Sequence, residues 1–573
     1  MKKILAALSV LLLLAACQSE EKLNVNFTMT PSSVYQGDQV SFQAHAVGGS
    51  GEYIYQWTIG DEIQPGNGAQ LDYSFFENGV VMVTLYVMDS KNRIAQRIKA
   101  MEVKPAKDPE YGDLTIEWVA RMNGYNSMSS AAVDDDGSVY ATCRDNHLYK
   151  FSSTGAQLWR SEIFKAKANP TSTTYGTPSI DSDGTVYIGG GSGNEGSTGN
   201  AGDGTFKAYN PNGTVKWSFS GWWRADGGTP APTCTGTIAA IGTDNVYYGC
   251  TGSNGIVVAI NKATGARKGF TNPTGGVRSG LAITKGGMVV GCAGYYGIFG
   301  ASQSTLDNGS STAPFDRTES SGYYWTRFRA DGDDNFPTVM YTQLACLKVN
   351  GKDCVAGVAY DYLSTKVFCI DATSGELVST CRIDDTGDQE QGGVVVDAAG
   401  NLVASLSCGF GEPNGGIVVV NPATGDVVSR YKIYEKVSGS PAVDAAGNIH
   451  FGTEGEDDDP SGMGGSYYVI KPKNGSTDCD LIVKRDLAEL IRQDGRFPDF
   501  ADMKRAKIWS SPIIGDDGKI YICFTEGYDH GYGGVICLKF EDDNEKGITG
   551  CHGPADSQWP MVGGNRRHTY NQK

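Results

Sequence analysis

Three clusters in the chain carry the residue types of a recognition surface. Trp222, Trp223, Arg224 and Asp226 form the first, and Tyr323, Tyr324, Trp325 and Arg327 the second. Tyr528, Asp529 and His530 form the third. Flat aromatic rings beside Arg and Asp suit the C–H faces and hydroxyls of a sugar. They suit a protein partner equally, since Trp, Tyr and Arg dominate the energetic centres of protein interfaces. The same side chains could instead pack long loops on themselves, and the sequence leaves the three uses open. Other chemistry is thinner. The six His residues lie far apart, without HExxH or comparable ligand spacing. No GxSxG or phosphate-binding loop stands out. The acidic runs at 134–136, 331–335 and 456–459 offer oxygen ligands, which leaves Ca²⁺ open, but none has EF-hand spacing. The first run is followed by Gly137 between two strand-like stretches, where Asp and Gly are ordinary turn residues.

The 14 Cys residues raise disulfide chemistry. Cys346 and Cys354 flank the turn Asn350-Gly351, and Cys369 and Cys381 flank a second turn, so both pairs are candidate cross-strand bridges. Cys234/Cys250 and Cys523/Cys537 are placed similarly. A competing pattern counts against these last two pairs: Cys143, Cys250, Cys292, Cys408 and Cys523 all fall late in a second strand, a small buried position.

What must position these residues is a repeat. The stretch from Gly439, GSPAVDAAGNIHFGT, reads as strand, Asp/Gly turn, strand. It recurs from Ser129, Thr177, Gly393 and Ser510, and more loosely from Thr235, Ser279 and Val339. About eight copies at roughly 40–70-residue spacing indicate propeller blades. A full unit has four strands, A to D, as in the copy at 178–181, 185–189, 204–209 and 214–219. Strand D carries Trp159 or Trp217. The stretch 114–122 looks like a strand D with Trp118 but has no A, B or C before it. The last unit lacks a good D, so the N-terminal strand is expected to complete it and remove the exposed edges. With 77 Gly, 29 Tyr and a net charge of −17, the chain reads as all-β and acidic, which argues against nucleic acid or an anionic membrane surface as partner.

In such a blade the A–B and C–D turns share one rim, and the B–C and D–A loops share the other. The first set is short nearly everywhere. The second holds the long insertions, including 190–203, 221–232, 301–337, 409–415, 454–465, 526–533 and 479–507, the last with a short amphipathic helix expected over 481–493. The working surface is therefore expected on the B–C/D–A rim, and Asp444, in an A–B turn, is read as a turn former.

Residues 1–17 are a targeting segment: Lys2 and Lys3, an apolar run, then Leu14-Ala15-Ala16-Cys17. This resembles a bacterial lipobox, which implies lipidation of Cys17 and a membrane anchor. The following Gln18-Ser19-Glu20-Glu21 resembles the export signal of surface lipoproteins. Residues 23–103 read as a separate β domain. Its stretches around Tyr55-Gln56-Trp57 and Val83–Asp89 resemble the signature strands of the PKD domain, an immunoglobulin-like sandwich, with Trp57 in the core. Residues 104–112 form a charged linker with two Pro. From 113 to 573 the repeats, their turns and the late Trp resemble the PQQ-like propeller family, as does the terminal stretch from Trp559 to Thr569. That family includes quinoprotein dehydrogenases and outer-membrane barrel-assembly lipoproteins. The dehydrogenases typically carry an adjacent Cys-Cys pair, and no two Cys are adjacent here; CxxCH is absent as well.

The reading is an immunoglobulin-like PKD sandwich followed by an eight-bladed β-propeller of four-stranded blades. It is expected to be a non-catalytic, lipid-anchored outer-membrane protein, surface exposed, binding a protein or glycan, with no cofactor. The alternatives are a periplasm-facing assembly factor and, less favoured, a quinoprotein oxidoreductase.

Overall fold

The computed structural model describes residues 22–572 apart from 31–33, 36–37, 61, 67, 76–78, 105–113, 127, 165–175, 191–204, 220–237, 250–255, 273–276, 278, 293–297, 315–322, 327–341, 361–363, 385–391, 407–414, 434, 456–463 and 527–530. The chain divides into two compact units, Met1–Glu110 and Tyr111–Lys573.

The first unit is built on two sheets. One pairs Asn24–Thr30, Gln39–Val47 and Gln70–Ser74; the other runs Val34–Tyr35, Ile94–Lys104, Gly79–Asp89, Tyr53–Ile59, Glu62–Ile63. Alternation along Val83, Leu85 and Val87 turns one face inward, where they meet Phe27, Phe42, Phe75 and Met101. Trp57 sits in this core, edge-on to Phe27 at 5.2 Å, and its indole N–H donates to Gly68 O at 3.2 Å. Asp89 closes the turn after its strand. Burial pushes its carboxyl up, but hydrogen bonds from Arg93 and Lys91 outweigh this and hold it at about 2.

Among the described residues, the second unit holds eight sheets of four or five strands. Their A strands are, in chain order, Ala132–Val133, Ser179–Ile180, Ala240–Ile241, Ala282–Ile283, Ala345–Val349, Gly392–Val396, Ala442–Val443 and Ile513–Ile514. The copy chosen from sequence to define the unit folds as read, with strands Ser179–Ile180, Val186–Gly190, Thr205–Tyr209 and Val215–Phe219. The eighth sheet is completed by Leu114–Met122, which pairs antiparallel with Gly533–Phe540 from Phe540↔Leu114 to Gly533↔Met122.

Neighbouring sheets are joined by a recurring device. The indole N–H of Trp118, in the eighth sheet, donates to Ser153 O in the C–D turn of the first. Trp159 reaches Pro211 O in the second sheet, and Trp217 reaches Lys262 O in the third, at 3.1 and 2.9 Å. Each ring covers the glycine of the turn it docks on. A Cβ on Gly155, Gly213 or Gly265 would come within 2.7 Å of the ring, and all three have positive φ. Hydroxyls add a second set of links nearer the A strands. Ser440 N–H donates to Ser511 Oγ, Ser511 N–H to Ser130 Oγ, and Ser130 N–H to Thr177 Oγ1, so the seventh, eighth, first and second sheets follow one another.

Three sequence expectations change. The helix placed at 481–493 begins only at Leu487 and runs to Asp494. Leu481 and Val483 instead alternate along strand D, opposite Ile470 and Val469, and Asp486 caps the helix by accepting from Glu489 N–H at 2.7 Å. The stretch Tyr323–Thr326 is not a rim loop. It is strand D of the fourth sheet, with Trp325 opposite Phe299, displaced along the chain by a long C–D connection that includes the helix Gln303–Asn308. The two candidate disulfides are not formed, and all four sulfurs are free thiols. Cys346 pairs with Val355 and Cys354 with Leu347, which turns the two sulfurs to opposite faces of the sheet. Cys381 lies opposite Val367, not Cys369, a diagonal too long for a bridge. Cys143, Cys292 and Cys523 are buried free thiols, as the strand-B pattern suggested.

Candidate functional site: a closed end and an open end

The C-terminal segment 554–572 organises one end of the second unit. It has almost no regular structure of its own, so its main-chain groups remain free for other partners. The last residues of the A strands fill that role. Val396 and Val443 N–H donate to the carbonyls of Trp559 and Pro560, at 2.7 and 2.8 Å. Val133, Ile180, Ile241 and Ile283 N–H donate to the carbonyls of Arg566, Arg567, Thr569 and Tyr570, at 2.7 to 2.9 Å. Two side chains complete the set. Lys348 N–H donates to Gln558 Oε1 at 2.7 Å, and Arg566 Nε donates to Asp516 Oδ2 at 3.0 Å. The segment therefore visits the fifth, sixth, seventh, eighth, first, second, third and fourth sheets in that order. Its own ends then meet, with Gln572 Nε2 donating to Gln558 Oε1 at 2.9 Å. It is a collar around the A–B end.

The A–B turn acids serve this collar. Arg566 bridges Asp135 at 2.6 Å and Asp516 at 2.9 Å, and Arg567 holds Asp134 at 2.9 Å and also Asp135. The Arg566 guanidinium is the main reason the Asp135 carboxyl lies below its ordinary value. The run 134–136 is thus a turn, as read, whose first two carboxylates are neutralised by arginine. Trp559 and Tyr570 are fully buried and meet edge-to-face at 5.9 Å. His568 is fully buried as well; burial lowers it to about 4, and its Nδ1 lies 3.1 Å from Pro178 O.

One further cluster sits at the root of the collar. Asp444 Oδ1 accepts from the N–H groups of Ala446 and Asn448, shaping the turn as expected. Its Oδ2 accepts from Asn448 Nδ2 at 2.7 Å and lies 3.0 Å from His450 Nε2. His450 Nδ1 lies 2.7 Å from Tyr467 OH. Among the described residues, Asp444, His450 and Cys551 are the set of three potential metal ligands whose atoms all lie within 4.8 Å of one another, and all three are buried. Burial, then the Asp444 charge, pushes the Cys551 thiol up to about 12. The sequence hid this set because Asp444 looked like any turn Asp and Cys551 stood outside every repeat.

The opposite end carries the B–C and D–A loops. Trp222, Trp223, Arg224, Asp226, Arg327, Tyr528, Asp529 and His530 lie outside the described residues, as do Cys17, the acidic runs 331–335 and 456–459, and Cys234, Cys250 and Cys408. Tyr323, Tyr324 and Trp325 are placed by their strand alone. The described part of this end shows charged and aromatic groups with mutual partners. Glu435 accepts from Thr453, from Tyr468 OH at 2.6 Å and from Lys484 Nζ at 2.9 Å. Asp145 accepts from Tyr149 OH and His147 N–H, beside a Cys143 thiol that burial holds well above its usual range. Tyr532, exposed at 46 %, stacks under the Arg121 guanidinium at 3.5 Å. Among the described residues of this end, these carboxylates are engaged by neighbouring donors, and burial disfavours the Cys143 thiolate.

Comparison with known proteins agrees with the fold. The family model described as outer membrane protein assembly factor BamB matches residues 115–279. No curated protein sequence matches the chain. The crystal structure of quinohemoprotein alcohol dehydrogenase from Comamonas testosteroni is similar at a TM-score of 0.50 and 12% identity, over 76% of this chain and 78% of that one. A second quinohemoprotein alcohol dehydrogenase, ADHIIG from Pseudomonas putida HK5, gives 0.49 and 12%, over 78% of each chain. The second unit has a PQQ-like β-propeller fold. The dehydrogenase likeness extends to fold alone. No two cysteines are adjacent in the sequence, and among the described residues the clustered potential ligands Asp444, His450 and Cys551 lie at the collared end. No helix among the described residues is long and apolar enough to cross a membrane.

Proposed function

We propose that the protein is a cell-envelope binding lipoprotein. In this reading a closed eight-bladed propeller presents the B–C/D–A end to a protein or glycan, and a PKD-like unit serves as the stalk behind a Cys17 lipid anchor. The observation that carries the reading is the collar. It meets the A–B end of the eight described sheets one after another, and in this reading the opposite end is the binding face. The acidic chain and the Tyr532–Arg121 pair suit a polar, aromatic-rich contact rather than nucleic acid. The test is capture from envelope extracts and on a glycan array with the full chain, repeated with Trp223→Ala and Tyr532→Ala. Binding that is lost in either variant supports the assignment, and binding unchanged in both counts against it.

A second reading is a periplasm-facing assembly factor at the outer membrane, favoured by the match to the BamB family model over 115–279. Protease added to intact cells separates the two. Cleavage without breaking the outer membrane supports the surface reading, and protection until it is broken supports the periplasmic one.

A further inference from the structure

We propose that Asp444, His450 and Cys551 form a structural metal site for a borderline divalent ion such as Zn²⁺, which staples the root of the collar to the seventh sheet. The three ligands come from three segments. Asp444 lies in the A–B turn, His450 in strand Ile449–Gly452, and Cys551 in the chain leading to the collar. Main-chain hydrogen bonds already hold these segments together: Ala445 N–H donates to Gly553 O and Ala555 N–H to Val443 O, both at 2.9 Å.

The donor set selects the ion class. One thiolate, one imidazole and one carboxylate match Zn²⁺, whereas Ca²⁺ takes six or more oxygens. The geometry is close to a loaded site. An ion bound at ~2.0–2.1 Å to oxygen and nitrogen in a tetrahedron separates those atoms by about 3.3 Å, and His450 Nε2 and Asp444 Oδ2 stand 3.0 Å apart. The outer partners are those that a metal-bound His and carboxylate require. Tyr467 OH meets His450 Nδ1, and Asn448 Nδ2 with two main-chain N–H groups holds Asp444. Charge balances too: a carboxylate and a thiolate neutralise a divalent ion, so no net charge is buried.

Without metal, His450 lies between Tyr467 OH, at Nδ1, and Asp444 Oδ2, at Nε2. On binding, Cys551 loses its thiol proton to solvent. The imidazole proton then resides on Nδ1, where it donates to Tyr467 oxygen, and Nε2 gives its lone pair to the ion. No electron is transferred. A water supplies the fourth position, since Asp444 Oδ1 is held by the N–H groups of Ala446 and Asn448.

The test uses the full-length protein purified without chelating resin. Metal analysis should find about one zinc per chain. After stripping with chelator, Co²⁺ should restore about one equivalent with a near-ultraviolet thiolate-to-cobalt band. Cys551→Ser should abolish that band, and Tyr467→Phe should weaken Co²⁺ binding about tenfold. Far-ultraviolet dichroism reports whether each variant folds. If Cys551→Ser does not fold, the wild-type stoichiometry and band decide. A wild-type protein that neither carries nor takes up an ion, or a band that survives in folded Cys551→Ser, overturns the site and leaves the cluster as a hydrogen-bonded relay.

Discussion

The two ends of the propeller unit use the same residue types for opposite purposes. At the A–B end, Asp134, Asp135 and Asp516 meet Arg566 and Arg567, and the aromatic rings of Trp559 and Tyr570 are fully buried. At the B–C end, Arg121 stacks on a Tyr532 that stays half exposed, and the long insertions are concentrated there. The first end spends its polar and aromatic chemistry on the chain itself, whereas at the second Tyr532 remains half exposed beside groups that are paired with one another. Breaking the collar should cost far more stability than breaking any contact at the open end.

The largest effect is expected from deleting residues 554–573. The deletion removes eight main-chain hydrogen bonds between the segment and A strands, each worth about 1 kcal/mol. It also removes two fully buried aromatic side chains, Trp559 and Tyr570, worth about 3 kcal/mol each. The sum, on the order of 10 kcal/mol, equals the whole stability of an ordinary domain. The truncated chain should show no cooperative thermal transition for this unit. A midpoint within a few degrees of the full chain would break the comparison.

Next comes the docking of one sheet on the next. Trp217→Ala should cost about 3–5 kcal/mol, because it empties the ring-sized space over Gly265. Trp217→Phe keeps a ring there and forfeits the hydrogen bond to Lys262 O, about 1 kcal/mol. Denaturant titrations of both variants separate packing from hydrogen bonding.

These two expectations differ in how far the sequence announced them. Trp159 and Trp217, with the turn glycines, recur with the repeat, so period alone placed them. The collar has no period. Its partners are main-chain N–H groups, which leave no residue signature, and only its membership in a familiar terminal stretch marked it. Tyr323–Trp325 depart from the repeat for a related reason. A long C–D connection shifts the strand away from its place in the repeat, so its aromatic composition resembles that of a loop although it encodes a strand. Cys346 and Cys354 looked paired because the turn brought them close along the chain, but register decides which face a side chain takes.

A third effect belongs to the closed end alone. His568 in the collar is held at about 4 by burial, while the unfolded chain takes up a proton near the ordinary value of about 6.5. As pH falls from 7.5, the unfolded state gains the proton first. Stability should drop between about pH 6.5 and pH 4, then level off, for a loss of about 3 kcal/mol. Unfolding midpoints against pH should show this slope, and His568→Gln should flatten it even if its stability at pH 7.5 is lower. An unchanged slope in that variant would place the titration elsewhere.

The smallest change in stability should come from the open end. Tyr532→Ala removes a ring that is half in water and a cation–π contact with Arg121, together worth no more than about 1 kcal/mol at an exposed site. Its main-chain carbonyl, which accepts from Glu526 N–H at 2.8 Å, is untouched by the substitution. The unfolding midpoint should therefore move little, while capture of whatever the full chain retains from envelope extracts should fall. The pairing of readouts matters more than either alone. Lost capture with an unchanged midpoint assigns the ring to recognition. A large drop in midpoint would mean that this end, like the other, spends its aromatic residues on the fold, and the distinction between the two ends would fail where it is easiest to measure.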